Sequence, residues 1–174
     1  IVEAGTGYNN IDLDAARAKG ITVCNIPAYS TERVAHTAIM MLLNFASTMQ
    51  QQIGMLARGD RSNFTKHLQV PHTEVNGKTL GIIGAGHIGM AVVKVARALD
   101  MNILIHTRTP KEDSEGIRYV SLDELLAKSD YISLHCPLND KTKHLINKDT
   151  IAKMKSNAVI INTGRGALIN EADL

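Results

Sequence analysis

The sequence predicts an α/β fold in which a parallel sheet is covered by helices on both faces. Two observations support this class: short apolar segments alternate with amphipathic ones along most of the 174 residues, and a glycine-rich turn at residues 84–89 joins one such pair. Such alternation is typical of parallel sheets, because two parallel strands need a crossover connection, usually a helix. With 44% hydrophobic and 21% charged residues, the composition is that of an ordinary globular chain.

Ahead of the glycine-rich turn, the sequence predicts mainly helix. A short helix is predicted over residues 13–19 and a short strand over residues 21–24. Ser30 or Thr31 then caps a long helix over residues 34–57, whose apolar residues recur at helical spacing. Because this helix is apolar on more than one face, we expect it to pack against both the sheet and a partner chain.

Beyond residue 57 a polar connection leads into the alternating pattern. Residues 58–76 are polar and aperiodic, which predicts an exposed connection. Ser121 followed by Glu124 is typical of a capping box at the start of a helix. The predicted strands span residues 78–83, 102–106, 119–120, 131–135 and 158–162, and the predicted helices span residues 90–99, 121–128 and 147–154.

The turn after the first of these strands carries three spaced glycines, Gly84, Gly86 and Gly89. Gly84 permits the tight turn, Gly86 lets a pyrophosphate approach the backbone, and Gly89 lets the following helix pack closely on the strand. The backbone amides of His87 and Ile88 would then point at the phosphates from the helix N-terminus, which favours negative charge. The order strand, glycine turn, helix therefore predicts a dinucleotide-binding site.

A second glycine cluster follows the last predicted strand, in the run Asn162-Thr163-Gly164-Arg165-Gly166. In an open parallel sheet, ligands bind beyond the carboxyl ends of the strands, which is where this cluster falls. An arginine held between two glycines there can present its planar guanidinium to a carboxylate. The alternative for Arg165 is a surface arginine in an ordinary turn.

The bulk properties exclude several functional classes. A net charge of +2, without lysine- or arginine-rich runs, argues against a nucleic-acid surface, and no apolar stretch is long enough for a membrane span. Cys24 and Cys136 have neither disulfide nor metal-site spacing, which indicates a reducing cytoplasm and no metal centre.

The chain starts at Ile1 without a methionine, and residues 170–174 look like the first turn of a helix. We therefore expect a piece of a longer protein, truncated at both ends.

Four segments resemble those of the D-isomer-specific 2-hydroxyacid dehydrogenases and occur in that family's order. They are residues 5–12, residues 81–89, residues 133–138 with Thr142, and residues 154–169. The resemblance implies a Rossmann-type doubly wound parallel sheet, incomplete at its C-terminus, over residues 29–174. It implies that residues 1–28 are the remnant of a second, flavodoxin-like substrate domain.

The activity implied by the resemblance is hydride transfer between NAD(P)H and a 2-keto acid or D-2-hydroxy acid, of the glyoxylate/hydroxypyruvate, D-lactate or phosphoglycerate type. In the family, the arginine matching Arg165 binds the substrate carboxylate and polarises the reacting carbonyl. Backbone amides matching Thr6 and Gly7 hold the other side of that carboxylate. The positions that match the family's cofactor groove are His135, Cys136, Pro137, Thr142, Thr163 and Gly164.

The family's catalytic histidine and its partner carboxylate would follow Leu174, so we expect negligible turnover from this chain alone. The intact protein is expected to be a homodimer.

His135 is expected to pack or to contact the cofactor, not to act as the acid. Asn9 stands where the family commonly has aspartate, which leaves the substrate open. No catalytic role is predicted for His36, His67, His72, His106 and His144.

The end of the second strand bears on the choice of cofactor. NAD-specific enzymes place an acidic residue there to bind the ribose hydroxyls, whereas this chain has Thr107 followed by Arg108. Without a carboxylate to repel a 2′-phosphate, and with Arg108 and Lys111 available to pair with it, the sequence favours NADP(H) over NAD(H). The alternative is an NAD-dependent enzyme with threonine at this position and Arg108 in solvent.

Two other functions fit part of the sequence. The first is a nucleotide-sensing regulatory module of the same fold, resembling the C-terminal-binding-protein corepressors, which also keep an arginine at the position of Arg165. The second is an unrelated NAD-binding domain, such as one from a relative of adenosylhomocysteine hydrolase. The cluster at residues 162–166 argues against the second of these.

Overall fold

The computed structural model describes residues 1–65 and 68–174, so His67 lies outside the described residues. Five strands form one sheet in the order β3-β2-β1-β4-β5, and every neighbouring pair is parallel. The order reverses between β1 and β4, which is the arrangement of a doubly wound sheet. The strands are β1 (Thr79–Ile83), β2 (Asn102–His106), β3 (Ile117–Tyr119), β4 (Tyr131–Leu134) and β5 (Val159–Asn162).

Helices cover both faces of this sheet. Helices α2 and α5 share one apolar core with Leu80 and Ile82 of β1, whereas α6 packs with Ile83 in a second core on the opposite face. The predicted fold class is therefore confirmed. The helices are α1 (Leu13–Ala18), α2 (Thr31–Ala46), α3 (Met49–Ala57), α4 (Ser62–Thr65), α5 (His87–Ala98), α6 (Leu122–Lys128) and α7 (Lys148–Ile151), and short 3-10 turns span Gly166–Leu168 and Glu171–Asp173.

The prediction of one long helix over residues 34–57 is wrong in one respect. The chain forms two helices there, α2 and α3, with a break between them. Thr48 adopts a left-handed conformation with φ of 50°. Its hydroxyl donates to the Pro71 carbonyl at 2.6 Å, and the Thr73 amide donates to the Ala46 carbonyl at 2.9 Å. Bonds from a distant segment thus satisfy the groups at the break, and a periodic pattern alone does not reveal them.

The connection predicted over residues 58–76 is exposed only in part. It contains the short helix α4, and the Asn63 side chain in it is only 2% exposed. The Asn63 Oδ1 accepts hydrogen bonds from the amides of Gln69 (2.6 Å) and Val70 (3.1 Å). A buried asparagine therefore shapes this connection by binding its backbone.

Three local predictions are also corrected. The strand predicted over residues 21–24 is reduced to a single parallel bridge between Val2 and Cys24. The Ser121 hydroxyl accepts from the Glu124 amide at 3.1 Å, as expected, but the Glu124 carboxylate binds Lys128 at 2.9 Å instead of completing a capping box. The predicted helix over residues 147–154 is a single turn.

A complete capping box is present at the start of α7. The Asn147 side chain accepts from the Thr150 amide, and the Thr150 hydroxyl accepts from the Asn147 amide.

Over residues 1–65 and 68–174, no helix has both the length and the apolar character needed to cross a bilayer.

Candidate functional site

A cavity of about 610 Å³ lies beyond the carboxyl ends of β4 and β5. Its walls come from five parts of the chain: the loop at residues 6–9, four residues within 25–34, the start of α5, and the segments that follow β4 and β5. The structure thus brings together residues that are far apart in sequence. The predicted site residues that line it are Thr6, Gly7, Ile88, His135, Cys136, Pro137, Thr163, Gly164 and Arg165.

The glycine-rich turn forms the α5 side of the site. Gly84 has φ of +104°, and a Cβ there would lie 2.6 Å from the Cys136 amide nitrogen. A Cβ on Gly89 would overlap the Gly84 carbonyl oxygen, so this glycine lets α5 pack on the turn. Gly86 differs from both, because it is exposed and a Cβ there would meet no atom within 4 Å.

The N-terminus of α5 offers backbone amides that have no hydrogen-bond partner among the described residues. Gly86 is its N-cap and provides no side-chain hydrogen bond. The first hydrogen bond of the helix runs from the Met90 amide to the Gly86 carbonyl at 2.9 Å. The amides of His87 and Ile88 come before Met90 and therefore have no partner within the helix. Free amides at the positive end of a helix form an anion-binding site.

The segment after β4 contributes two groups that carry no charge near neutral pH. The His135 Nε2 lies 2.9 Å from the Ser133 hydroxyl, and burial lowers the pKa of His135 to about 4. Burial also raises the pKa of the Cys136 thiol. Both side chains therefore remain neutral in a cavity whose charge comes from elsewhere.

The segment after β5 positions Arg165. The Asn162 side chain holds the turn, because its Oδ1 accepts from the Gly164 amide at 3.0 Å and its Nδ2 donates to the Arg165 carbonyl at 2.9 Å. The Arg165 Nε donates to the Asn9 Oδ1 at 3.0 Å. The guanidinium also lies directly against Gly7.

The loop opposite Arg165 is held by residues 25 and 26. The Thr6 hydroxyl donates to the Ile26 carbonyl at 3.0 Å, and the Asn25 side chain donates to the Thr6 carbonyl at 2.8 Å. In the described part of the chain, the backbone amides of Thr6 and Gly7 donate to no acceptor. These two amides and the Arg165 guanidinium together suit the two oxygens of a carboxylate.

Two features of the cavity fit a nicotinamide dinucleotide. The Thr163 Oγ1 is buried and has no hydrogen-bond partner among the described residues, so it can bind a polar ligand group. The open space at Gly86 leaves room for a diphosphate beside the α5 amides. The backbone amides of His87 and Ile88 would donate to the diphosphate, and Thr163 would bind another polar group of the cofactor.

Seven predicted cofactor residues are absent from the cavity wall: Gly84, Gly86, His87 and Gly89 of the glycine-rich turn and the start of α5, and Thr107, Arg108 and Thr142 elsewhere. Thr107 and Arg108 follow β2, and Arg108 is exposed with no hydrogen bond or ion pair to any described residue. The Thr142 hydroxyl accepts from the Asn139 amide at 2.8 Å and donates to the Pro137 carbonyl at 2.6 Å. It therefore closes the turn that presents Pro137, and its contact with a cofactor stays a prediction.

Several residues of the site were not assigned a role from the sequence, among them Asn25, Asn162, Ser133 and Asn9. Ser133 stands two residues before His135, and period-2 spacing along an extended segment could have paired them on one side. Asn9 stood out only as a departure from the family pattern. Its contact with Arg165 joins residues 156 positions apart, so no local signal predicts it.

Comparison with known proteins finds relatives along the whole chain. A sequence model of the D-isomer specific 2-hydroxyacid dehydrogenase NAD binding domain matches residues 39–174. The chain is 43% identical over 173 residues to hydroxypyruvate reductase from Blautia hydrogenotrophica. The alignment covers 97% of this chain and 54% of the relative.

Solved structures show the same similarity. D-lactate dehydrogenase from Aquifex aeolicus, complexed with NAD and lactic acid, matches with a TM-score of 0.89 and 38% identity over 98% of this chain and 51% of that one. An acyclic imino acid reductase (Bsp5) in complex with NADPH and D-arginine matches with a TM-score of 0.87 and 33% identity, over 99% and 55% of the two chains. This chain spans about half the length of the curated relatives it matches.

Proposed function

The chain belongs to the D-isomer-specific 2-hydroxyacid dehydrogenase family, and from this premise we propose that it forms the NAD(P)-binding part of an enzyme that interconverts 2-keto acids and D-2-hydroxy acids. One observation carries the proposal. Ile88, at the start of α5, and Arg165, after β5, line the same cavity. A diphosphate site and a carboxylate site therefore share one crevice at the carboxyl edge of the sheet.

In this proposal the residues of the chain bind and orient the reactants. Arg165 binds the substrate carboxylate and polarises the adjacent carbonyl, and the amides of Thr6 and Gly7 hold the other carboxylate oxygen. The bound nicotinamide dinucleotide supplies or accepts the hydride. Because the pKa of His135 is about 4, this residue is neutral at pH 7 and does not act as an imidazolium acid.

The cofactor of the proposed enzyme is NADP(H) in preference to NAD(H). Thr107 leaves the end of β2 without the carboxylate that would repel a 2′-phosphate. Arg108 next to it is exposed and unpaired in the described part of the chain, so its guanidinium is available to a phosphate. The NADPH complex of the imino acid reductase supports the use of NADPH by this fold.

We further propose an organisation for the protein. Residues 1–28 belong to a substrate-binding domain and residues 29–174 to the nucleotide-binding domain. Two such chains form a homodimer in the cytoplasm, where Cys24 and Cys136 stay reduced. The dimer contact is the apolar outer face of α2 and α3. That face exposes Met40, Met41, Leu43, Phe45, Met49, Ile53 and Leu56.

Ligand binding tests the proposed function. The chain contains no tryptophan, so the fluorescence of NADH or NADPH can be followed without tryptophan emission. We expect both nucleotides to bind, and oxamate, an analogue of a 2-keto acid, to bind to the nucleotide complex. Arg165→Gln should weaken oxamate binding at least about tenfold, because a charged hydrogen bond is lost, and leave nucleotide binding unchanged.

Arg118→Gln is the matched control, since Arg118 lies on β3 and pairs with Glu124 outside the cavity. It should leave oxamate binding unchanged. A chain that binds neither nucleotide would refute the proposed function. Turnover of glyoxylate or hydroxypyruvate by this chain should be negligible, because His135, the histidine among the described cavity residues, is neutral.

A further inference from the structure

Arg165 is the charged side chain among the described residues that line the cavity. The described lining contains no aspartate or glutamate. In the described part of the chain, Arg165 forms no ion pair. The Nε of its guanidinium is nevertheless bound, by the Oδ1 of Asn9 at 3.0 Å. A neutral amide thus occupies the place beside Arg165 where a carboxylate would cancel its charge.

We propose that Asn9 is a positioning residue that holds the Arg165 guanidinium in the cavity while leaving its positive charge fully available to an anionic ligand. The inference rests on the proposed function, since it concerns how the substrate carboxylate is bound. Arginine nitrogens only donate, so the atom of Asn9 that faces Nε must be its amide oxygen. The orientation of the Asn9 amide group is fixed by this contact.

The backbone around both partners is fixed independently. The Ile11 amide donates to the Tyr8 carbonyl at 3.0 Å, which closes the turn that carries Asn9. On the other side, Asn162 binds the Arg165 carbonyl at 2.9 Å. The hydrogen bond between Asn9 and Arg165 therefore joins two constrained turns. Together with the contacts to Gly7 and the Gly164 carbonyl, it limits the rotamers of this long side chain.

The bond through Nε has a consequence for ligand binding. The Arg165 Nη2 lies against Gly7, beside the unpaired amides of the loop at residues 6 and 7, and the Nη1 is 3.4 Å from the Gly164 carbonyl. Because Asn9 occupies Nε only, the Nη2 remains available to a carboxylate. A neutral partner also keeps the attraction between the guanidinium and an anion undiminished, whereas an aspartate would oppose it.

Two variants of Asn9, tested with two ligands, distinguish the positioning of the Arg165 side chain from the effect of charge at position 9. Asn9→Ala removes the acceptor, and Asn9→Asp keeps an acceptor but adds a negative charge. Oxamate and oxalate are similar in size and carry one and two negative charges. Their affinities are measured by isothermal titration calorimetry on the NADH complex of the full chain. Asn10→Ala and Asn10→Asp are matched controls, because Asn10 is exposed and does not line this cavity.

Asn9→Ala should weaken oxamate and oxalate alike, by about tenfold, the order expected from losing one charged hydrogen bond. Asn9→Asp should weaken oxalate at least about threefold more than oxamate, because the added charge repels a dianion more strongly than a monoanion. Neither Asn10 variant should change the ratio of the two affinities. NADH affinity should stay within about twofold of wild type in all variants, which shows that they are folded.

Unchanged oxamate and oxalate affinities in Asn9→Ala would overturn the positioning role. An unchanged ratio in Asn9→Asp, or the same shift in Asn10→Asp, would overturn the role of the neutral amide. These outcomes differ from a failure of the proposed function itself. In that case the wild-type NADH complex would bind neither oxamate nor oxalate. Both the proposed function and the proposed role of Asn9 would then be wrong.

Discussion

The Arg165 guanidinium lies directly on the backbone of Gly7, so closely that a Cβ on Gly7 would overlap its Nη2. Gly7 belongs to the N-terminal loop, whereas Arg165 follows the last strand of the sheet. The absence of a side chain at Gly7 lets the two approach and leaves the neighbouring amides open to the cavity. The two sides of the proposed carboxylate site therefore meet at this contact as well as at the hydrogen bond between Asn9 and Arg165.

Gly7→Ala should displace the Arg165 side chain and weaken oxamate binding to the NADH complex by at least about tenfold, because the charged hydrogen bonds lose their geometry. NADH binding should not change. Gly5→Ala is the control, since its Cβ would meet the Glu3 Oε1 at 3.1 Å, the end of a flexible side chain. Calorimetric titration of both variants tests this, and equal oxamate affinities would contradict it.

Gly86 and Gly89 should respond to substitution in opposite ways. Gly86→Val should lower the free energy of unfolding by at most about 1 kcal/mol, the cost of valine in place of glycine at the N-cap of α5, because nothing lies within 4 Å of the new Cβ. It should lower NADH affinity at least about tenfold by filling the space of the diphosphate. Gly89→Ala should instead destabilise the fold by about 1–3 kcal/mol, because its Cβ overlaps the Gly84 carbonyl oxygen.

Denaturant unfolding and NADH fluorescence titration, performed on both variants, distinguish the two roles. Loss of stability in Gly86→Val, with NADH affinity retained, would show that this glycine is needed for packing and not for the nucleotide.

Local sequence signals were sufficient to predict the strand, glycine turn and helix of the proposed nucleotide site. The strand at 79–83 and the glycines at 84, 86 and 89 are adjacent in sequence, so their spacing alone specifies strand, turn and helix. The end of α2 could not be predicted in this way. Its break at Thr48 depends on hydrogen bonds with Pro71 and Thr73, which belong to a segment without periodicity.

In the carboxylate half of the site, Arg165 could be predicted from its local sequence, whereas Thr6 and Gly7 could be predicted only through the family resemblance. Arg165 stands out locally because glycines flank it, but its contacts with Gly7 and Asn9 come from the opposite end of the chain. The strand predicted over residues 21–24 failed for a related reason. Strand formation requires a neighbouring strand, and the described chain offers one bridge at Val2.

The choice between nucleotides should depend on Arg108. Arg108→Ala should weaken NADPH binding at least about fivefold more than NADH binding, because a charged hydrogen bond to the 2′-phosphate is lost. Lys94→Ala is a suitable control, since Lys94 is an exposed cation in the middle of α5. Fluorescence titration with both nucleotides provides the comparison. Equal losses for NADH and NADPH would argue against a 2′-phosphate site at Arg108.

The proposed dimer should depend on the outer face of α2 and α3. Light scattering of the wild-type chain should give the mass of a dimer, and Phe45→Glu should give a monomer, since it places a charge on a side chain that is 59% exposed at this face. Leu13→Glu is the control, because Leu13 is an exposed apolar residue on α1, away from that face. A monomeric wild type, or a dimer that survives Phe45→Glu, would contradict the proposal.

Burial of His135 should make the stability of the protein depend on pH. Its pKa is about 4 in the folded chain, below the value of an exposed histidine, so between these two values the unfolded chain binds more protons. Stability contributed by the neutral imidazole is thus present near neutral pH and is lost on acidification. From about pH 7.5 to about pH 5 the loss should be about 2 kcal/mol. Urea unfolding of the wild type and of His135→Gln at both pH values measures it, because the variant lacks this titration. An equal pH dependence in the two proteins would show that His135 is not held neutral by the fold.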